Sequence, residues 1–312
     1  MEYIGLGRTG LKVSPLCLGT NMFGAGYVDD ERAATVIRKA LDMGVNFVDT
    51  ADVYHDGLSE SVVGRAIAHS RHQVVLATKG GYPMGEGPND RGLSRSHLTE
   101  AIEASLRRLG TDYIDLYQVH IWDPDTPLDE TLRALDDAVT AGKVRYVGCS
   151  NFSGWQLIRA LWESDAGGRI RFETTQPPYN LAHRDIEAEL VPACLQEEVA
   201  ILPYQVLAGG VLTGTYDSEI PPPQDSHMAS KLAGTARLRY WNQATFDVAD
   251  RLVEVAGDLG HSATQVALAW TLAKPGITSL VVGSSRPEQV QANVEALDIK
   301  LDDALMDRLE GR

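Results

Sequence analysis

The chain has 312 residues, 44% hydrophobic and 23% charged, an ordinary globular balance with room for one α/β barrel or two average domains. Its 43 acidic residues outnumber 28 basic ones, and the net charge of −15 excludes a nucleic-acid or anionic-membrane binder that works through a broad basic face. The three cysteines (Cys17, Cys149, Cys194) lack metal-ligand spacing, and with no secretory signal or membrane-length apolar run the expectation is a cytoplasmic protein.

Gly5 to Gly10 reads GLGRTG, the G-x-G-x-x-G spacing of a dinucleotide-binding loop. Such a loop must follow a buried strand and open a helix. Only MEYI precedes it here, and LKVSPLCLGT, a strand-like stretch broken by Pro15, follows. The expected structure is a β-hairpin. From Pro15 onward, short apolar runs alternate with amphipathic ones. Strands are expected over 15–19, 46–50, 74–79, 113–120, 144–150, 173–176, 200–204 and 279–283. Helices are expected over 30–44, 59–69, 96–110 with Ser96 as N-cap, 128–142, 154–164 and 184–198. After an irregular stretch come helices near 245–259, 262–273 and 287–297. Eight strand–helix units fit a (β/α)8 TIM barrel in a single domain, 1–312, with the first hairpin capping the barrel bottom. A doubly wound sheet with two lobes is the alternative.

In such a barrel the chemistry gathers at the C-terminal strand ends. These carry Gly19-Thr20, Asp49, Lys79, His120, Ser150-Asn151, Gln176, Tyr204 and Gly283-Ser284. Tyr54 follows Asp49 by five. A tyrosine near a lysine ammonium should have its pKa lowered from about 10. An aspartate would keep that lysine charged, and a neutral histidine could align a carbonyl. Asp49, Tyr54, Lys79 and His120 are therefore the candidate catalytic set, a proton donor for carbonyl reduction. The remaining histidines form no metal set, and no metal is expected.

Asp49-x4-Tyr54, Lys79, His120, GCSNF, TTQPPYNL, PYQVLAGGVLTG and VVGSSRPEQVQAN occur in this order. On these motifs the sequence resembles the aldo-keto reductase superfamily over essentially its whole length. The likeness is nearest to bacterial members and to voltage-gated potassium channel β-subunits. The resemblance implies NADPH, with NADH second, bound extended across the barrel mouth. Tyr204 would stack on the nicotinamide, and Ser150, Asn151 and Gln176 would hold its carboxamide. Gly19 and Thr20 are further cofactor positions. Leu207, Gly209 and Gly210 would line the pyrophosphate. Gly283, Ser285, Arg286, Gln289 and Asn293 would hold the adenosine end and its 2′-phosphate. Hydride would pass to a carbonyl carbon, and Tyr54 would protonate the oxygen.

The chain departs from the pattern of the family it resembles in places. Where the β-subunits carry a lysine, a tyrosine and an arginine over the cofactor, it has Thr215, Pro223 and Asp225, which weakens the expectation of a clamp. A glutamate usual before the last asparagine is Ala292. Arg286, Lys231 and Arg237 are the candidate cations for the 2′-phosphate. Met22, Phe23, Tyr82 and Trp122 are the expected substrate-pocket residues, with Ile121 and the segment 216–241 beside them. The expected reaction is NADPH-dependent reduction of an aldehyde or ketone. The alternatives are an NAD(P)-dependent aldose dehydrogenase and a slow-turnover, NADPH-holding regulatory protein similar to the β-subunits. The expected partner is a small carbonyl compound or sugar, with neither nucleic acid nor membrane; the sequence sets no oligomeric state.

Overall fold

The computed structural model describes every residue except 25–26, 225–226 and 230–233. Two short antiparallel strands, β1 (Ile4–Gly5) and β2 (Lys12–Val13), open the chain, and GLGRTG turns between them. Leu6 and Val13 are wholly buried against Phe47, Val75, Ala77, Leu116, Ala200 and Leu202, the apolar filling of the barrel. Gly7 is left-handed, φ +57°, and a Cβ there would stand 2.6 Å from the Glu173 carbonyl. The glycine spacing thus serves a tight turn pressed on the barrel floor.

The remaining strands are β3 (Leu16–Gly19), β4 (Phe47–Asp49), β5 (Val75–Gly80), β6 (Ile114–Val119), β7 (Val144–Ser150), β8 (Phe172–Gln176), β9 (Ala200–Ile201) and β10 (Leu280–Gly283). All eight run parallel; β4 to β9 each pair with the strand before them, and β10 pairs with β3. The ring is completed by bonds from Thr278 N to Ile201 O (2.9 Å) and from Val281 N to Pro203 O (2.8 Å). The architecture is a (β/α)8 barrel, not a two-lobed sheet.

Outside the ring lie α1 (Asp30–Asp42), α2 (Leu58–Ile67), α3 (Arg95–Leu109), α4 (Leu128–Thr140), α5 (Gly154–Gly167) and α6 (Leu190–Glu197). They are followed by α7 (Gly234–Tyr240), α8 (Gln243–Leu259), α9 (Ala263–Ala273), α10 (Pro287–Glu295) and α11 (Asp303–Glu310). Their inner faces follow helical spacing; in α1 the buried positions are Ala33, Val36, Ile37 and Ala40. Three expectations are corrected. Ser94, not Ser96, caps α3, because its oxygen accepts from His97 N at 3.2 Å and the helix starts one residue later. The helix expected over 184–198 breaks into a 3-10 turn, Asp185–Glu187, and the short α6. Arg184 and Glu187 are drawn instead into ion pairs with Glu310 and Lys274. Finally, α7 forms inside the stretch expected to be irregular. No helix among the described residues is long and apolar enough to cross a membrane.

Candidate active site

Parallel register brings the polar strand ends together: Lys79 on β5 stands opposite Gln118 on β6, and Asp49 ends β4 beside them. Lys79 is wholly buried. Its Nζ donates to Asp49 Oδ1 at 2.5 Å and to Thr50 O at 2.8 Å, and reaches Tyr54 Oη at 3.4 Å. The second Asp49 oxygen accepts from Gln118 Nε2 (3.2 Å) and Gln176 Nε2 (3.0 Å). This buried ion pair is therefore hydrogen-bonded on both sides, the condition for tolerating two charges out of water. Burial alone would lower the Lys79 pKa, but the Asp49 carboxylate and Tyr54 overrule it and the net direction is up. Lys79 stays charged.

Tyr54 requires a correction. Burial raises its pKa, Lys79 pulls it down, and burial wins. The lysine acts in the direction expected from sequence but does not bring the phenol below its ordinary value. The ring of His120 lies 5.9 Å from that of Tyr54, nearly perpendicular at 78°. Burial first, and Lys79 second, hold the His120 pKa well below the usual histidine value, so the imidazole is neutral. The structure thus brings Asp49, Tyr54, Lys79 and His120 into one cluster.

A second network adjoins it. Asn151, in left-handed backbone at φ 59°, donates to His120 O (3.0 Å) and to Ser150 Oγ (3.1 Å). Its amide oxygen accepts from Tyr204 Oη at 2.8 Å, and Ser150 Oγ donates to Gln176 O at 2.7 Å. Burial, chiefly, pushes the Tyr204 pKa up to about 12. Ser150, Asn151, Gln176 and Tyr204 therefore meet as expected, but the Gln176 amide nitrogen is already committed to Asp49. Thr20 is wholly buried, its hydroxyl turned to Asp49 O (2.9 Å) and Ser59 Oγ (3.0 Å), so it braces the wall instead of facing a ligand. Gly19 pairs with Gly283 across β3 and β10.

Leu207 is half-buried; Gly209 and Gly210 adopt φ of 66° and 103°. At the far end, Gln289 Oε1 accepts from Ser285 N at 2.8 Å, Asn293 Nδ2 donates to Ser284 Oγ at 3.2 Å, and Arg286 is exposed. Thr215 and Arg237 are exposed; Asp225 and Lys231 lie outside the described residues. Of the substrate-pocket set, Tyr82 contacts the His120 ring edge-on at 4.6 Å. Trp122 is half-buried, 5.2 Å from Phe152 and 5.6 Å from Trp155 by ring centroids. Met22 and Ile121 are half-buried. Phe23 is corrected: it has no exposed surface and packs inside the main core, so it is not a pocket wall. Sequence reasoning missed Gln118, Trp155 and Arg239. Gln118 could have been found as a polar residue at an inward position of an apolar strand. Arg239, bonded to Gln205 from 34 positions away, left no local signal.

The aldo/keto reductase family pattern covers residues 15–311. The chain belongs to the aldo/keto reductase family. It is 38% identical to the uncharacterized oxidoreductase YrpG of Bacillus subtilis (strain 168), over 98% of this chain and 94% of that protein. It is 34% identical to a probable voltage-gated potassium channel subunit beta of Arabidopsis thaliana, over 99% and 96%. To the L-glyceraldehyde 3-phosphate reductase of Escherichia coli (strain K12) it is 34% identical, over 96% and 88%. Family membership and these relatives support an oxidoreductase of carbonyl compounds.

Proposed function

We propose that this reductase is an NADPH-dependent carbonyl reductase in which Tyr54 is the proton donor. The observation that carries this reading is the Lys79 ammonium, held between Asp49 and Tyr54 beside a neutral His120. The mouth residues fit an extended dinucleotide with an anionic linker. Tyr204 offers a half-buried ring anchored on Asn151, and the left-handed backbone at Gly209 and Gly210 has no side chain to obstruct approach. When bound, the reduced nicotinamide supplies the hydride. The chain's own residues then handle the oxygen. Tyr54, whose raised pKa keeps it a phenol, donates its proton to the developing alkoxide. Lys79 stabilises the phenolate left behind, and Asp49 keeps the ammonium in place. His120, neutral, can polarise the carbonyl oxygen without competing as an acid.

Tyr82, Trp122 and Trp155 favour substrates with a flat or apolar face beside the carbonyl. The Escherichia coli relative's name makes small phosphorylated aldehydes a class to test. Replacement Tyr54→Phe should lower kcat by about 10²–10⁴-fold while NADPH still quenches tryptophan fluorescence with unchanged affinity. Near-wild-type turnover in that variant would remove Tyr54 from the proton-donor role.

A further inference from the structure

Away from the candidate catalytic cluster, a cleft of about 620 Å³ runs between α3 and the loop that follows β5. Its walls include Asp52, Met84, Asp90, His97, Glu100 and Ala104. The volume falls within the roughly 300–1,000 Å³ of small-molecule sites. None of these residues belongs to the candidate catalytic or cofactor sets. Glu100 is exposed and Asp52 is wholly buried, so the cleft leads from the surface inward to β5, where Asp52 N donates to Lys79 O at 3.1 Å.

Two of the lining side chains are buried without a partner. Neither carboxylate oxygen of Asp52 has a hydrogen bond among the described residues, and neither has Nε2 of His97, a residue only 5% exposed. Unpaired polar atoms are costly to bury, so two such groups on one cleft call for a partner that the chain does not supply. Burial lowers the His97 pKa and outweighs the opposing pull of Asp90 and Glu100, so the ring is neutral and can present Nε2 as an acceptor.

The charges of the cleft decide what that partner is. Arg108 is tied to Glu60 at 2.6 Å, and Glu103 pairs with Lys143. Asp52, Asp90 and Glu100 are left without an ion pair among the described residues, against one such cation, the exposed Arg107. The excess is negative, and the buried groups accept hydrogen bonds. A ligand that donates them and carries positive charge fits both facts. A metal ion does not, because no three His, Cys, Asp or Glu side chains among the described residues are placed to hold one.

We propose that this cleft binds a small organic ammonium compound, with Asp52 and His97 as acceptors at its inner end and Glu100 at its rim. Calorimetric titration of the protein without NADPH tests it, at pH 8, where Asp52 is largely ionised. The probes are 1,4-diaminobutane, the uncharged 1,4-butanediol and MgCl2, at matched ionic strength. Wild type is compared with Asp52→Asn and with Ala104→Trp, which fills the cleft from a half-buried position on α3 without changing a charge. Circular dichroism checks that both variants are folded. The expected result is one saturable equivalent of diamine, weakened about tenfold or more in both variants, with no binding of the diol or of Mg2+. No saturable binding to wild type would overturn the proposal and leave water as the partner of Asp52 and His97. Diamine affinity within about twofold of wild type in either variant would overturn it too, since binding would then not depend on the cleft or on Asp52. Equal affinity for the diol or for Mg2+ would overturn the ammonium class. Should a variant unfold, a wild-type crystal soaked in the diamine decides: density between Asp52 and His97 supports the site, and an empty cleft overturns it.

Discussion

Lys79 has no surface in contact with water, and its neighbours decide its chemistry. The Asp49 carboxylate keeps it protonated, and the two glutamine amides on Asp49 satisfy the other side of the pair. Removing the cation leaves a buried carboxylate without its counter-charge. Lys79→Met should therefore lower stability by about 3–5 kcal/mol, read by urea unfolding, as well as abolish turnover; an unchanged midpoint would show that the pair is not the buried unit described above. Asp52 is the opposite case. It is wholly buried, and neither carboxylate oxygen has a hydrogen-bond partner among the described residues. Burial, and next the nearby Glu60, push its pKa up to about 7. The folded chain thus binds a proton that the unfolded chain releases near pH 4. That contribution is present in acid and is lost as pH rises through about 7. Asp52→Asn, neutral throughout, should gain Tm over wild type at pH 8 and little at pH 5. An equal gain at both values would rule out a titrating Asp52. At this scale the sequence showed which groups could react but not their protonation. A pKa depends on burial and on charges brought from other strands, which is why burial of Tyr54 outweighs the lysine.

Each strand carries its reactive residue at one end, and its neighbours are chosen for close approach. On β5, Gly80 follows Lys79, and a Cβ there would collide with the Tyr117 hydroxyl from β6 and lie 3.1 Å from Asp52 Oδ2. Gly80→Ala should cost about 1–3 kcal/mol by forcing Tyr117 aside; a urea midpoint equal to wild type would mean the contact yields freely. The strands were legible because a parallel barrel strand is a short apolar run closed by a polar residue, a local pattern. The break of 184–198 into a 3-10 turn and α6 was not. Its helical spacing is genuine, but Arg184 and Glu187 answer to Lys274 and Glu310, far along the chain.

Over the whole molecule, Glu310 ties α11 down beside the contacts that Arg251 and Asp258 of α8 make with Leu309 and Arg308. The Glu310 side chain is almost wholly buried; it accepts from Lys274 Nζ (3.0 Å) and Trp270 Nε1 (3.1 Å), and pairs with Arg184 (2.6 Å) and with Arg312. The Arg184 and Lys274 cations lie 5.5 and 5.1 Å from the Trp270 ring centroid, and the Glu310 carboxylate that both share ties α9, α11 and the loop after β8 together. Glu310→Ala should destabilise by about 3–5 kcal/mol in thermal or urea melts. A loss well under 1 kcal/mol would show that Leu309 packing and the Arg251 and Arg308 contacts with α8 hold the helix without Glu310. The sequence by itself determined the eight strand–helix units, the hairpin at GLGRTG and the polar strand ends, because each is a pattern of neighbouring residues set by the period of its element. Only the tertiary structure decided that Phe23 is core, that Gln176 and Gln118 brace Asp49, that Tyr54 remains a phenol, and that Arg239 stands beside Tyr204. Those outcomes depend on groups far apart in the chain, and only closing the barrel brings them into contact.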